Sequence, residues 1–318
     1  MPSNSSGHIV ILGTGGTIAG TAAAAADNVG YQAGQLGVAQ LVAAVPALAA
    51  HALEARQLAQ VDSKDMSHAL WQQLAAAVAE ELAREDVQAV VVTHGTDTLE
   101  ETAWFLHRVL AATKPVVLTA AMRPASALMP DGPQNLLDAV TVAATPGTRG
   151  VLCVLAGRVL GPEDVRKVHG YRVDAFAADE AGPVALVQEG QVRALRAWPQ
   201  ADPGEAAALQ VAMQRPVAQW PRVDIVTSHA GCDGALVPAL VALGSRGLVA
   251  EGTGNGTLHA ALEVALRVAQ AQGVAVWRAS RCWAGGVVGQ PEGALPSAGV
   301  LTPAKARVEL MLQLMLRA

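Results

Sequence analysis

The chain is 318 residues long, 52% hydrophobic, 15% charged and 3% aromatic, with a formal net charge of −5. That length suits one large or two ordinary domains with a real core, and the low charge density excludes a disordered chain. A mildly acidic chain without Lys/Arg runs lacks the basic footprint of a nucleic-acid binder, and no apolar run approaches the roughly 20 residues a bilayer needs.

The opening Met1-Pro-Ser-Asn-Ser-Ser-Gly-His8 has neither a basic nor an apolar leader segment, so a cytoplasmic location is expected. A short apolar run at 9–13 predicts the first buried strand. It runs into Gly13-Thr-Gly-Gly-Thr17-Ile-Ala-Gly20, a loop whose glycines let backbone N–H groups approach a ligand. The dinucleotide fingerprint is not met, because Ile18 stands where its third glycine belongs and no acidic residue follows near 35–38. A second strand is expected at 53–61. It leads into Val61-Asp-Ser63-Lys64-Asp65, and then an amphipathic helix at 67–84 presents Leu70, Trp71, Leu74, Val78 and Leu82 on one face.

A third strand at 89–93 ends in His94-Gly-Thr96-Asp97-Thr98, followed by a helix at 97–110 whose Thr98-Leu-Glu-Glu101 reads as a capping box. His94, beside a buried strand, is expected to be a hydrogen-bonded scaffold residue. Strands at 115–119 and 150–155 flank a helix at 133–144 that opens after Asp131-Gly132. From 191 to 216 the pattern degrades into a Pro- and Ala-rich linker with a short helix at 205–213. A second series follows: strand 223–228, helix 236–243, strand 247–250, helix 257–270, strand 274–277 and a final helix capped by Thr302.

This alternation predicts an α/β fold: two α/β domains with largely parallel sheets, and an active site at the strand C-terminal ends of the larger N-terminal domain. The expected boundaries are 1–192 for the catalytic domain, 193–215 for the linker and 216–318 for the C-terminal domain. Three strand-end loops carrying Thr17, Ser63 and Thr96/Asp97 form a hydroxyl-rich pocket with one carboxylate, suited to a small zwitterion and to acyl transfer. Cys153, Cys232 and Cys282 are widely spaced and odd in number, which suggests neither a disulfide framework nor a zinc site. No metal or cofactor is expected.

The segments Thr14-Gly-Gly-Thr17-Ile18 and His94-Gly-Thr-Asp-Thr98 resemble the two signatures of the bacterial-type L-asparaginase/glutaminase family, the two-threonine amidohydrolases. The resemblance runs along nearly the whole chain, through Asp131-Gly-Pro-Gln-Asn-Leu136, Gly252-Thr-Gly-Asn-Gly256 and Leu301-Thr-Pro-Ala-Lys-Ala-Arg307. It implies hydrolysis of L-asparagine to L-aspartate and ammonia through an acyl-enzyme, with weaker action on L-glutamine. By resemblance Thr17 is the nucleophile, Tyr31 its activating partner and Thr96 the second catalytic threonine. Lys167 belongs to a triad with Thr96 and Asp97. Asp97 also binds the substrate ammonium and Ser63 its α-carboxylate, while Gly16, Gly95 and Asn255 are substrate-binding positions. Glu292 is expected to reach the site of a neighbouring subunit, in a homodimer or homotetramer with shared sites.

Two departures stand out. Lys64 replaces the Gln or Glu common in secreted members, and Thr257 replaces an asparagine. They motivate an alternative reading as a catalytically weakened amino-acid-binding or sensor protein.

Overall fold

The computed structural model describes residues 7–317, so the opening segment read for a leader lies almost wholly outside the described residues. The chain divides into two compact units, the first ending at Ala206 and the second beginning at Ala207.

The first unit is built on five parallel strands: β1 (His8–Gly15), β2 (Leu53–Val61), β3 (Val87–Thr93), β4 (Pro115–Thr119) and β5 (Gly150–Leu155). Their order is β2-β1-β3-β4-β5, with every neighbouring pair parallel. Runs such as Val90-Val91-Val92 are apolar at every position because helices cover both faces of the sheet. Alternate residues Ile9, Ile11, Ala89 and Val91 pack with Leu136, Ala139 and Val140 of helix α4 (Gly132–Ala144) and with α1 (Val38–Ala43). Helices α2 (His68–Ala83) and α3 (Leu99–Leu110) also pack on the sheet, their Trp71 and Phe105 rings stacked 5.0 Å apart.

Beyond β5 the sheet turns antiparallel through β6 (Arg158–Leu160), β9 (Ala185–Gln188) and β10 (Gln191–Ala194). A separate two-stranded ribbon, β7 (Arg166–Lys167) with β8 (Phe176–Ala177), stands outside the large sheet. The 193–215 stretch, expected as a linker with a short helix, holds the end of β10 and helix α5 (Pro203–Ala212).

The second unit has one parallel three-stranded sheet: β11 (Val223–Thr227), β12 (Gly247–Gly252) and β13 (Ala275–Ser280). Helices α6 (Leu236–Ala242), α7 (Ala260–Ala271) and α8 (Pro303–Arg317) accompany it. Thr302 accepts the Lys305 N–H at 3.3 Å, as an N-cap should. Helix α7 starts later than its apolar pattern suggests, because Thr253 and Thr257 bond each other's backbone and hold Thr257 in a turn.

The order β2-β1-β3 means the chain leaves β1 to one side and returns on the other. Strand ends splay at that reversal and open a crevice where ligands bind. Thr17, Ser63 and Thr96 all follow strands that meet there.

Candidate active site

Glycine lets the crevice close to a working size. A Cβ on Gly16 would lie 2.4 Å from the Gly95 Cα, and Gly16 sits at φ 80°. A Cβ on Gly95 would lie 2.4 Å from the Ser63 Oγ. The three loops therefore touch at points where no side chain fits. Gly16 and Gly95, expected as substrate-binding positions, are in the first place the contact between the two threonine loops.

Those contacts are fixed by hydrogen bonds. Thr14 Oγ1 donates to the Thr93 carbonyl at 2.9 Å, tying the end of β1 to the end of β3. The Gly16 N–H donates to Val61 O at 2.8 Å, tying it to β2. Ser63 Oγ accepts the Asp97 N–H at 3.1 Å, and its carbonyl accepts the Thr98 hydroxyl at 2.7 Å. That last bond corrects the expected capping box. Thr98 is the N-cap of α3, but its side chain makes no cap bond because the neighbouring loop has taken its hydroxyl.

Two buried threonine hydroxyls sit on this frame. Thr17 is 6% exposed, and its Oγ1 lies 2.6 Å from the Tyr31 hydroxyl. Tyr31 arrives on a loop closed by the Thr21–Gln32 bridge, and Gly20 leaves room for its ring, since a Cβ there would lie 2.8 Å from Tyr31 Cδ2. Thr96 is 5% exposed and accepts a bond from Lys167 Nζ at 2.9 Å. The same ammonium lies 2.5 Å from Asp97 Oδ1. Thr96, Asp97 and Lys167 thus form one cluster, and Thr17 and Tyr31 form another on the loop that touches it.

Lys64 pairs with Asp62 and is open to solvent. Its Nζ lies 3.1 Å from Asp62 Oδ2 with the side chain 65% exposed, and Asp62 holds the lysine pKa above its ordinary value. Asn255 and Glu292 belong to the second unit. Asn255 braces the backbone of Val288 through both side-chain atoms, at 2.8 and 2.7 Å, and Glu292 is exposed.

His94 is a scaffold residue whose network the sequence did not reveal. Indole N–H groups only donate, so Trp71 Nε1 donates to Thr102 Oγ1 at 2.9 Å. The Thr102 proton is then directed at His94 Nε2, 3.1 Å away, and the His94 Nδ1–H donates to Gly95 O at 2.7 Å. Both ring nitrogens are used in holding the Gly95–Thr96 turn. Trp71 and Thr102 gave no signal beyond an apolar stripe and an ordinary helix interior.

Burial pushes the His94 pKa down to about 4 against the opposing Gly95 bond. His107 is also lowered to about 4, first by burial and then by the Arg108 charge. Above about pH 6.5 each imidazole is neutral whether folded or unfolded, so its contribution to stability is fully present. Between about 6.5 and 4 only the unfolded chain takes up the proton, and stability falls by up to about 1.4 kcal/mol per pH unit for each histidine. Urea unfolding followed from pH 7 to pH 4.5 is expected to show that fall, and His107→Gln to make it shallower by one histidine's share. An unchanged slope in the variant would refute the assignment.

Two family models match the chain: "Asparaginase, N-terminal" over residues 8–200 and "Glutaminase/Asparaginase C-terminal domain" over residues 222–317. A glutaminase-asparaginase of Pseudomonas fluorescens biotype A is 35% identical over 317 residues, covering 96% of this chain and 86% of the relative. A probable periplasmic L-asparaginase of Haemophilus influenzae is 36% identical over 315 residues, covering 96% and 88%. Among solved structures, that of a probable cytoplasmic L-asparaginase from Campylobacter jejuni superposes with a TM-score of 0.91. It is 35% identical, and the match covers 97% of this chain and 95% of that one.

Proposed function

Because the chain belongs to the asparaginase family, an asparaginase in both its N-terminal and C-terminal domains, we propose that it hydrolyses L-asparagine to L-aspartate and ammonia, with weaker action on L-glutamine. The observation that carries the mechanism is the pairing of two buried threonines with separate proton partners, Thr17 with Tyr31 and Thr96 with Lys167, on loops in backbone contact.

A threonine hydroxyl attacks an amide only when its proton has somewhere to go. In this reading Tyr31 relays a proton: the Thr17 proton passes to the Tyr31 oxygen as Oγ1 bonds to the side-chain carbonyl carbon of the substrate, and the proton Tyr31 already carried passes on to the amide nitrogen. The carbon–nitrogen bond then breaks, and ammonia leaves an acyl ester on Thr17. Water attacks that ester, with Thr96 as the hydroxyl that orients it; one water proton returns to Thr17 Oγ1 as the ester bond breaks, and aspartate is released. Lys167 donates to Thr96 and to Asp97, so it holds the hydroxyl in place and balances the carboxylate. Backbone N–H groups of the touching loops hold the oxyanion.

Asp97 binds the α-ammonium of the substrate and Ser63 the α-carboxylate. The ion pair of Lys64 with Asp62 supports this, since it partly neutralises a charge that would repel that ammonium. Residues 1–192 are the catalytic domain, joined through 193–215 to a C-terminal domain over 216–318. Glu292 of the second unit serves the site of a neighbouring copy and Asn255 is a substrate-binding position, so the active assembly is a homodimer or a homotetramer made of two dimers. Among the described residues no helix is long and apolar enough to cross a membrane. A cytoplasmic location is our reading, and the relatives' names include both cytoplasmic and periplasmic forms.

The test is ammonia release by the purified protein from L-asparagine and L-glutamine in parallel. Turnover of asparagine with a higher kcat/KM than glutamine is expected, by a factor of about 10–200, because the two substrates differ by one methylene. Stoichiometric aspartate binding without release of ammonia from either amide would replace the enzyme reading with the binding-protein one.

A further inference from the structure

Lys167 reaches Thr96 from an unusual direction. It lies in β7, a two-residue strand paired only with β8 in a ribbon outside the large sheet. Sheet register therefore does not fix the lysine against the Thr96 loop, as it fixes the ends of β1 and β3 against each other. The backbone N–H of Lys167 donates to Glu100 Oε2 at 3.0 Å. Glu100 lies in the first turn of α3, three residues after Asp97.

We propose that Glu100 is a positioning residue for the amide hydrolysis, gripping the Lys167 main chain so that its ammonium meets Thr96 and Asp97. This rests on the reading of Thr96, Asp97 and Lys167 given above. The geometry makes the role specific. One helix end carries Asp97, which receives the ammonium, and Glu100, which receives the backbone of the same lysine. The lysine is held at both ends of its side chain, so its reach to Thr96 is set by α3. The ribbon can be tethered without distorting α3, because a first-turn glutamate also suits the positive end of the helix dipole. Loss of the grip leaves Lys167 attached to the ribbon but free to slide by a fraction of an ångström, and misplacements of that order cost catalysis more than binding.

Three variants of the full-length protein separate the possibilities, each assayed for kcat and KM with asparagine and checked for folding by thermal unfolding. Glu100→Met keeps the length without an acceptor and is expected to lower kcat about 10–100-fold with KM much less affected. Glu100→Gln keeps a carbonyl acceptor at the same reach and is expected to restore kcat close to the parent. Glu100→Asp keeps the charge but withdraws the acceptor by one methylene, and is expected to behave like the methionine variant. It takes that variant's place if Glu100→Met does not fold. Parent-like kcat in both Glu100→Met and Glu100→Asp, or a glutamine variant as impaired as either, overturns the proposal. Lys167→Met is run alongside. Full activity in that variant would instead sink the reading of the cluster on which the proposal stands.

Discussion

Thr17→Ala is expected to lower kcat/KM for asparagine by about 10³-fold or more. The argument starts from what holds Thr17. Ile18 and Ala19 are buried in the main core, and the loop backbone is anchored to β2 and β3 by Gly16 N–H and Thr14 Oγ1. Removing one buried hydroxyl and one methyl leaves that frame standing, at a stability cost of about 1 kcal/mol. Aspartate binding, followed by calorimetry, is therefore expected to persist while ammonia release disappears. Thr17→Ser keeps the oxygen 2.6 Å from Tyr31 and loses only the methyl that restricts its rotamer, so it should retain far more activity than alanine. Tyr31→Phe removes the proposed proton partner but not the proposed nucleophile, with an expected loss of about 10²–10³-fold. Turnover retained in Thr17→Ala would remove the nucleophile assignment altogether.

The same loop shows what could be read in advance. Parallel strands such as β3 announce themselves because burial on both faces demands an unbroken apolar run, Val90-Val91-Val92. The threonine loops are legible because each occupies a few consecutive residues directly after such a strand. Strands β6, β9 and β10 went unseen. They are three or four residues long, and they exist through pairing with one another rather than through any pattern of their own. The Thr98 capping box failed for a related reason: a local signal was overruled by Ser63, whose carbonyl lies 35 residues away in sequence. The family resemblance supplied Lys167, which no local pattern singles out. The bond that holds its backbone was invisible, because it joins a two-residue strand to a helix first turn. The Trp71–Thr102–His94 chain was hidden in the same way, each member looking like ordinary core or helix interior.

Thr96 and Lys167 are expected to act as one unit, and a double-mutant cycle is the measurement that shows it. Lys167→Met removes the ammonium that lies 2.9 Å from Thr96 Oγ1 and 2.5 Å from Asp97 Oδ1, while keeping an unbranched chain of similar length. Asp97 is then left without its cation and Thr96 without the donor that fixes its hydroxyl. A loss of about 10²–10³-fold in kcat is expected, within the range of a group that positions and balances a reacting proton. Thr96→Val, which keeps the shape and removes the hydroxyl, should cost about as much. If the lysine works through Thr96, the double variant is no worse than either single one, because the second change removes an interaction already gone. If the two side chains act independently, their losses multiply to about 10⁴–10⁶-fold. Losses that multiply would mean that Lys167 serves the site through some route other than Thr96.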